Sequence, residues 1–416
     1  MSMHDESGTA IESGAANRPT GGPARPVSRG RTRRRRLVPV AAAACLLMAG
    51  AGTATAAVPA TGSATAGVST AAQTPADILQ AGAQQGIADG YPGVIGMVRK
   101  GDTAQYVRAG LGDLTNRVPA DPKAKFRIGS NTKAFTATVL LQLVGEKKLS
   151  LSDTVAKWLP GAVAANGYDG SRITIRQLLN HTSGLPEYIG RVYSVGSDPY
   201  KAWAPQTLVD TALAQHAPTG EPGEKFGYSN TNYVLAGMVI KAVTGEDAST
   251  QIQRRIIEPL GLHDTAFPVA DPALYGNYLR GYAVELLIFR RDVTVSNVQA
   301  GGAAGAMVST MDDMATFFRA LISGSLLGPE LTAELKATVP AATDTDYGLG
   351  VEHLKLPCGQ WVWGHNGAVL GYFSEWFTSD DGEKQVLFAT NEYHLATGTK
   401  GQLDTNKAAT EAFCAL

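Results

Sequence analysis

Ser130-Asn131-Thr132-Lys133 stands directly before the run AFTATVLLQLVGE at residues 134–146. This run is apolar nearly all round, which predicts a helix buried inside a large domain. Ser130 then lies at the helix N-terminus, where its backbone N–H has no intrahelical acceptor and is free to stabilise an oxyanion. A hydroxyl and an amine three residues apart share one helical face. The stretch therefore predicts a central helix and a candidate nucleophile together.

Lys133 is the candidate base for that nucleophile. A serine hydroxyl attacks poorly until a nearby base removes its proton. Burial and the positive end of the helix dipole both lower the pKa of a lysine amine, so Lys133 can take this role. The four residues alone fit a helix cap and a solvent-facing lysine equally well. Partners elsewhere in the chain must decide between the two interpretations.

The composition describes an ordinary soluble protein. The 416 residues are 44% hydrophobic and 18% charged, which fits one or two domains with a large core. The net charge is −1, yet eight arginines give residues 1–36 a charge of +5 and leave −6 for the rest. The mildly acidic body has no basic stripe, so we expect no nucleic-acid partner. We expect a monomer that acts on a small molecule or peptide.

The first 56 residues are typical of a secretory signal. Four arginines at 33–36 precede the apolar run LVPVAAAACLLM at residues 37–48, and Ala54-Thr55-Ala56 offers a cleavage site. The arginine pairs resemble a twin-arginine signal, and the general export pathway remains an alternative. The apolar run is shorter than the roughly 20 residues a membrane span needs. We expect a secreted, extracellular protein without a stable membrane anchor, led by a disordered segment at residues 57–74.

Cysteine usage agrees with export. Cys45 lies within the signal, so Cys358 and Cys414 remain as a lone pair in an oxidising compartment. We predict a disulfide between them. The alternative is a pair of free, buried thiols.

The order of the segments predicts an α/β (α+β) fold within a domain at residues 75–416. Helix-like segments occupy residues 75–88 and 404–413, and residues 126–345 are mainly helical. We therefore expect an antiparallel five-stranded sheet formed by both chain ends, flanked by helices and interrupted by a helical insertion. Zinc-ligand spacings and phosphate loops are absent from the sequence. The five strand-like segments are residues 93–98, 104–107, 360–364, 371–378 and 385–390.

Two further segments carry groups suited to acyl transfer. Tyr228-Ser229-Asn230 ends a Gly/Pro-rich loop before a helix-like run at residues 232–244. A tyrosine near a lysine can relay a proton, and an asparagine amide can hold an acyl-side amide. The alternative is a helix cap followed by core packing. Residues 364–368, Gly-His-Asn-Gly-Ala, lie between strand-like segments, where glycines allow close backbone approach; the alternative is an ordinary hairpin.

Together and in this order, the three segments resemble the penicillin-recognising serine hydrolases. This family includes class C β-lactamases, D-alanyl-D-alanine carboxypeptidases and related esterases, and its Ser-x-x-Lys element is a known signature. The resemblance covers about residues 75–416, is strongest toward exported actinobacterial carboxypeptidases, and implies a β-lactamase/DD-peptidase-like fold. Further matching segments are residues 126–130, 149–151, 158–160, 173–186 and 347–350.

The resemblance implies a role for each residue of the site. Ser130 forms the acyl-enzyme, Lys133 is its base, and Tyr228 carries the proton to the leaving group. Asn230 orients the acyl-side amide, and His181 is structural. The N–H groups of Ser130 and Ala368 form the oxyanion hole. The resemblance implies no metal and no organic cofactor. The substrate-binding positions are Asn230, His365, Asn366, Gly367 and Ala368.

Three positions depart from the carboxypeptidase pattern. Asn366 and Ala368 stand where hydroxyls bind a substrate carboxylate, and Glu352 stands where relatives carry an arginine. A glutamate repels a carboxylate, although a protonated His365 would supply part of the missing positive charge. We expect a D-alanyl-D-alanine carboxypeptidase-type, penicillin-binding hydrolase of cell-wall peptides. The alternatives are an esterase or amidase on the same scaffold, a class C-like β-lactamase that opens β-lactams, and a non-enzymatic penicillin sensor.

Overall fold

The computed structural model describes residues 73–285, 289–393 and 399–416. The predicted signal at 1–56 and nearly all of the predicted lead-in at 57–74 lie outside the described residues. Within the described ranges, we find no helix with the length and apolar character needed to cross a membrane.

Nine of the described strands form one antiparallel sheet. Its order is β3-β2-β1-β13-β12-β11-β10-β9-β8, so strands from both ends of the domain pair at its centre. The remaining strands form the small ribbons β4-β7 and β5-β6. The strands are β1 Gly93–Lys100, β2 Thr103–Asp113, β3 Val118–Pro119, β4 Phe126–Arg127, β5 Tyr282–Glu285, β6 Phe289–Asp292, β7 Val308–Ser309, β8 Val339–Ala342, β9 Thr345–Tyr347, β10 Glu352–Lys355, β11 Trp361–Val369, β12 Tyr372–Thr378 and β13 Lys384–Thr390.

The fold class is confirmed, but the predicted strand count of five is wrong. The five predicted strands are β1, β2, β11, β12 and β13, which lie side by side in the sheet. Four more strands, β3 on one side and β8 to β10 on the other, extend the edges. Each of these is only two to four residues long, and β3 and β8 contain proline. Such short segments are too brief to show an alternating pattern.

Helices cover both faces of the sheet, and a 3₁₀ turn at Gly129–Asn131 and a π-helical segment at Gln253–Ile257 interrupt them. The segment at 126–345 holds α2 to α12 together with β4 to β8. The helices are α1 Pro75–Ala88, α2 Thr132–Gly145, α3 Val155–Trp158, α4 Ile175–Leu179, α5 Ile189–Val192, α6 Pro205–Leu213, α7 Asn230–Thr244, α8 Ala248–Ile252, α9 Glu258–Leu260, α10 Val298–Gly305, α11 Met311–Ile322, α12 Gly328–Leu335 and α13 Lys400–Cys414.

The two terminal helices pack against each other on one face of the sheet. Gly82 of α1 lies so close to α13 that a Cβ atom there would stand 2.1 Å from the Cβ of Ala408. Glycine at this position therefore permits the contact, although glycine usually weakens a helix interior. Leu79 and Phe413 are buried with the side chains of the sheet beneath them.

Helix α2 forms the centre of the core on the opposite face. Every residue from Thr132 to Leu141 is buried, in agreement with the prediction from its all-round apolar character. The ring of Phe135 stacks on that of Phe317 in α11, with centroids 3.6 Å apart. Because α2 is buried, the polar groups at its start can act only on molecules that enter the cavity lined by Ser130, which we call the active-site cavity.

The structure contains the disulfide between Cys358 and Cys414, which joins the turn after β10 to the end of α13. A cross-link over a separation of 56 residues removes conformational entropy from the unfolded chain. On the chain-entropy model we expect the paired change Cys358→Ser and Cys414→Ser to lower the free energy of unfolding by about 4 kcal/mol. Urea unfolding of the oxidised parent and the double variant measures this difference.

Neither cysteine lines the active-site cavity, so the rate of turnover should stay within about twofold of the parent. The oxidised parent must also show no free thiol by mass spectrometry. Equal unfolding midpoints for parent and double variant would contradict a stabilising cross-link.

Candidate active site

The catalytic turn differs slightly from the predicted helix start. Ser130 lies in the 3₁₀ turn Gly129–Asn131, and α2 begins two residues later. Gly129 has φ +51°, and a Cβ atom there would stand 2.8 Å from the backbone nitrogen of Ala368. Glycine therefore allows the turn to press against β11. The N–H of Ser130 precedes the first bond of the turn, from the N–H of Asn131 to Ile128, and has no intrahelical acceptor.

Asn131 fixes this turn to the sheet, a function that the sequence does not reveal. It is fully buried. Its Nδ2 donates to the carbonyl of Ile128 and to Ser374 Oγ, both at 3.0 Å. Its Oδ1 accepts from Trp376 Nε1 at 2.8 Å. The nucleophile and β12 are thereby held in one rigid unit.

Lys133 is completely buried, and its Nζ contacts three oxygen atoms. These are Ser130 Oγ at 2.9 Å, Asn230 Oδ1 at 2.7 Å and the carbonyl oxygen of Ala304 at 2.9 Å. Burial lowers the pKa of the Lys133 amine to about 7, and the negative charges of Glu187 and Glu352 oppose that change. A substantial fraction of the amine is therefore neutral at physiological pH.

The surrounding acceptors determine how the neutral Lys133 amine orients its two N–H groups and its lone pair. Glu187 accepts from Asn230 Nδ2 at 2.7 Å and from the Asn230 backbone N–H at 2.8 Å, so Asn230 turns Oδ1 toward the lysine. A neutral amine has two N–H groups and one lone pair. Asn230 Oδ1 and the Ala304 carbonyl can only accept, so they take the two N–H groups. The lone pair is left for the hydroxyl hydrogen of Ser130, the geometry of a nucleophile and its base.

Tyr228 lies above this pair. The ring centroid is 4.8 Å from Lys133 Nζ, and the ring stacks on His181 with centroids 4.2 Å apart. Burial raises the pKa of the Tyr228 phenol well above its usual value, although a hydrogen bond with Ser130 opposes the rise. Tyr228 is thus a neutral phenol that can donate one proton while it accepts another.

His181 supports the ring of Tyr228 from a fully buried position. Its Nδ1 accepts from the backbone N–H of Ser229 at 3.2 Å and from Asn232 Nδ2 at 3.0 Å. Burial holds the pKa of His181 well below its usual range, so the ring is neutral. These contacts fit the structural role expected for His181.

His365 is also buried and neutral, so it lacks the positive charge that a protonated histidine would supply. Its Nε2 lies 2.9 Å from the hydroxyl of Tyr347, and its Nδ1 lies 2.5 Å from the carbonyl oxygen of Asn366. Burial lowers the pKa of His365 to about 3, and the charge of Lys133 contributes to the change. Protonation at this site would place a second cation beside the lysine in a medium of low dielectric constant.

The end of β11 forms an open wall of the site. The last pair between β10 and β11 joins Glu352 to Gly364, so in the described structure no strand covers β11 from His365 to Val369 on that side. A Cβ atom at Gly367 would stand 2.0 Å from the carbonyl oxygen of Ile128. Only glycine therefore lets β11 approach the catalytic turn here. Ser130 and Ala368 both line the resulting cavity of about 80 Å³, and their N–H groups are the predicted oxyanion donors.

This arrangement of a buried lysine, a serine, a tyrosine and an open strand edge matches a known family. The family model described as Beta-lactamase matches residues 76–406.

The chain belongs to the beta-lactamase family.

Solved structures extend the match. The chain is similar to a D-stereospecific amidohydrolase from Streptomyces sp., with 37% identity, a TM-score of 0.74, and coverage of 80% of this chain and 98% of that chain. It is similar to the D-amino acid amidase from Ochrobactrum anthropi SV3, with 27% identity, a TM-score of 0.73, and coverage of 82% and 98%. It is also 27% identical to penicillin-binding protein 4* of Bacillus subtilis (strain 168) over 321 residues, or 73% of this chain and 68% of that protein. The resemblance to penicillin-recognising serine hydrolases is thereby confirmed.

Two carboxylates act on Lys133 in the site of this beta-lactamase family member. Glu187 comes directly after the segment ITIRQLLNHTSGLP and orients Asn230, a role that the sequence motifs did not predict. Glu352 is half-buried opposite Gly364, at the His365 end of the open strand. Burial raises the pKa of the Glu352 carboxyl to about 7, and the charge of Lys133 opposes the rise. Both carboxylates stabilise the protonated form of the lysine.

Removing the charge of Glu352 should extend activity to lower pH. The reaction needs Lys133 in its neutral form, so the rate rises as pH passes through the pKa of the lysine. The negative charge of Glu352 raises that pKa, and its removal lowers it. We expect Glu352→Gln to move the acidic limb of the kcat/KM profile down by about half a pH unit.

The matched control is Glu330→Gln, which removes an exposed carboxylate on α12. Its profile should coincide with that of the parent. An acidic limb that stays in place or moves upward in Glu352→Gln would show that Glu352 does not act on the lysine.

Proposed function

We propose that this protein is a serine amidase that hydrolyses D-aminoacyl amides through an acyl-enzyme. The charge at the leaving-group end of the site is the observation that carries this assignment. His365 is neutral, Glu352 is partly ionised near pH 7, and Asn366 and Ala368 lack the hydroxyls that bind a terminal carboxylate in carboxypeptidases. An amide leaving group has no carboxylate and avoids repulsion by Glu352. Names of two similar proteins, a D-stereospecific amidohydrolase and a D-amino acid amidase, support the same class.

Acylation begins when Ser130 Oγ attacks the substrate carbonyl and its proton moves to Lys133 Nζ, 2.9 Å away. The new C–O bond places negative charge on the carbonyl oxygen, which the N–H groups of Ser130 and Ala368 stabilise. The C–N bond then breaks. Tyr228 donates its phenolic proton to the departing nitrogen and regains one from Lys133, so ammonia leaves as a neutral molecule.

Deacylation runs the same proton path in reverse. A water molecule attacks the ester carbonyl in the oxyanion hole while Tyr228 takes the proton of the water and gives its own phenolic proton to Lys133. The Ser130 oxygen leaves with the proton from Lys133, which restores the free enzyme and releases the amino acid. Asn230, which Glu187 orients, keeps the lysine lone pair on the serine through both halves of the cycle.

The preference between ammonia and D-alanine as leaving group can be tested directly. The experiment compares ammonia release from D-alaninamide and D-phenylalaninamide with D-alanine release from a peptidyl-D-Ala-D-Ala substrate. We expect kcat/KM for the amides to exceed that for the peptide by about 100-fold or more, since each tenfold needs only about 1.4 kcal/mol of differential binding. The L-amides serve as the stereochemical control. Faster release of D-alanine would overturn the amidase assignment in favour of a carboxypeptidase.

A second candidate is a penicillin-binding carboxypeptidase, which similarity to penicillin-binding protein 4* favours. Intact mass with benzylpenicillin, recorded over time beside Ser130→Ala, separates the candidates. A lasting adduct on the parent alone favours the carboxypeptidase, and accumulation of ring-opened penicillin favours a β-lactamase. An unmodified protein with unchanged penicillin is the result we expect for the amidase.

We further propose that the chain is exported, with residues 1–56 as the signal. The basic start, the short apolar run and the Ala54-Thr55-Ala56 site support this placement. A mature N-terminus near residue 57 in the culture medium would agree with it. Full-length protein retained in the cell would contradict it.

A further inference from the structure

Arg127 is a buried cation at the wall of the active-site cavity. It is the second residue of β4, is only 2% exposed, and lines the same cavity as Ser130. Of the described residues that line this cavity, Arg127 is the only charged one. The catalytic steps above make no use of it.

The guanidinium of Arg127 is paired only in part. Its Nε and Nη2 donate to the carbonyl oxygen of Thr294 at 3.2 and 2.9 Å, and Nη2 also donates to the carbonyl of Pro272. Its Nη1 is buried and has no hydrogen-bond partner. Among the described residues, no carboxylate forms an ion pair with it. Hydrogen bonds and, to a smaller extent, the charge of Arg127 lower the pKa of the exposed Asp271, but that carboxylate does not contact the guanidinium. A buried charge without a contacting counter-ion is costly, so this position favours an anion brought by a ligand.

The neighbouring hydroxyls offer donors and no free acceptor for Arg127. Tyr193 donates its hydroxyl to Ser296 Oγ at 3.0 Å, so the hydrogen of Ser296 remains available to another group. Tyr188 uses its hydroxyl on the carbonyl oxygen of Ala300. Burial raises the pKa of both tyrosines, so neither supplies a negative charge. The cavity thus presents a cation and a hydroxyl donor together.

The position of the cavity identifies which part of a substrate reaches Arg127. The cavity extends past Ala368 to Val369, away from His365, and Asn230 lines it as well. The proposed function places the leaving group toward His365, and with that placement the cavity receives the acyl group. Its volume of about 80 Å³ suits one side chain of moderate size, since a single water needs about 10–15 Å³ on the same measure.

We propose that this cavity holds the side chain of the acyl residue and that Arg127 binds an anionic group at its tip. The preferred substrates are then α-amides of acidic D-amino acids, of which the D-glutamyl side chain is the longer. This assignment of side-chain class rests on the proposed amidase function. An arginine N–H to a carboxylate is a charge-assisted hydrogen bond, roughly twice as strong as a neutral one. Ser296 supplies a second donor to the same carboxylate.

The test compares D-glutamic acid α-amide with D-glutamine α-amide, which have nearly the same shape and differ in side-chain charge. We expect the parent to release ammonia from the acidic amide with about tenfold higher kcat/KM. Arg127→Met, which keeps length and removes charge, should abolish the preference for the acidic amide. Equal kcat/KM values for both amides in the parent would overturn the assignment of Arg127.

Arg127 also holds the loop at Thr294, so Arg127→Met can fail to fold. Ser296→Ala is the second variant, because it removes one donor and no backbone support; it should reduce the preference about threefold. Calorimetric titration of Ser130→Ala with both amides gives a readout that needs no turnover. Tighter binding of the acidic amide without ammonia release by the parent would refute the amidase and keep the Arg127 subsite. Equal binding of the two amides would refute the subsite alone.

Discussion

Ser130→Ala and Lys133→Ala should each lower kcat by about 10³-fold or more, and the double variant should be little worse than either. The reason is that Lys133 has its lone pair directed at Ser130 by two acceptor-only neighbours, Asn230 Oδ1 and the Ala304 carbonyl. Either change removes the whole nucleophile–base pair. Steady-state ammonia release by the parent, the two single variants and the double variant completes the double-mutant cycle.

The control for charge is Lys148→Ala, which removes an exposed lysine after α2 and should leave kcat unchanged. Circular dichroism must show that Lys133→Ala is folded, since it leaves two buried acceptors without a donor. Losses that multiply in the double variant would show that the two residues act independently.

Gly367→Ala should have the second-largest effect. The added Cβ atom would stand 2.0 Å from the Ile128 carbonyl oxygen and 2.5 Å from Asn131 Nδ2. These clashes are removed only if β11 moves away from the catalytic turn, and that movement separates the oxyanion donors of Ser130 and Ala368. We expect about a 100-fold loss of kcat, comparable to the loss of one oxyanion donor, and a loss of stability of about 1–3 kcal/mol.

Gly190→Ala is the matched control, because a Cβ atom there meets nothing within 4 Å. It should leave kcat and the unfolding midpoint close to those of the parent. Full activity in Gly367→Ala would mean that β11 can shift without disturbing the oxyanion hole.

Local sequence signals were sufficient for much of the fold. Strand-like runs identified β1, β2, β11, β12 and β13, and the helix-like segment at residues 75–88 identified α1. The edge strands β3 and β8 to β10 are too short to give such a signal. Their pairing is decided by neighbouring strands that are distant in sequence.

The candidate site could be predicted only where a residue carries chemistry by itself. The structure brings Ser130, Lys133, Tyr228, Asn230 and His365 together, as the motifs suggested. Asn131, Glu187 and the carbonyl of Ala304 escaped prediction, because their roles come from long-range hydrogen bonds. The charge state of His365 could not be predicted, because burial, which lowers its pKa to about 3, has no signature in a single sequence.

The contacts of Lys133 have a consequence for how this protein becomes active as it folds. Its partners Asn230 and Ala304 are 97 and 171 residues away in the chain, and Asn131 binds Trp376 across 245 residues. Contacts at such separations form late, after the entropy of closing long loops has been overcome. Until then Ser130 is an ordinary alcohol, so a nascent or partly folded chain has no nucleophile with which to damage itself or its surroundings. Catalytic turnover therefore reports complete folding more stringently than measurements of helix content or compactness do.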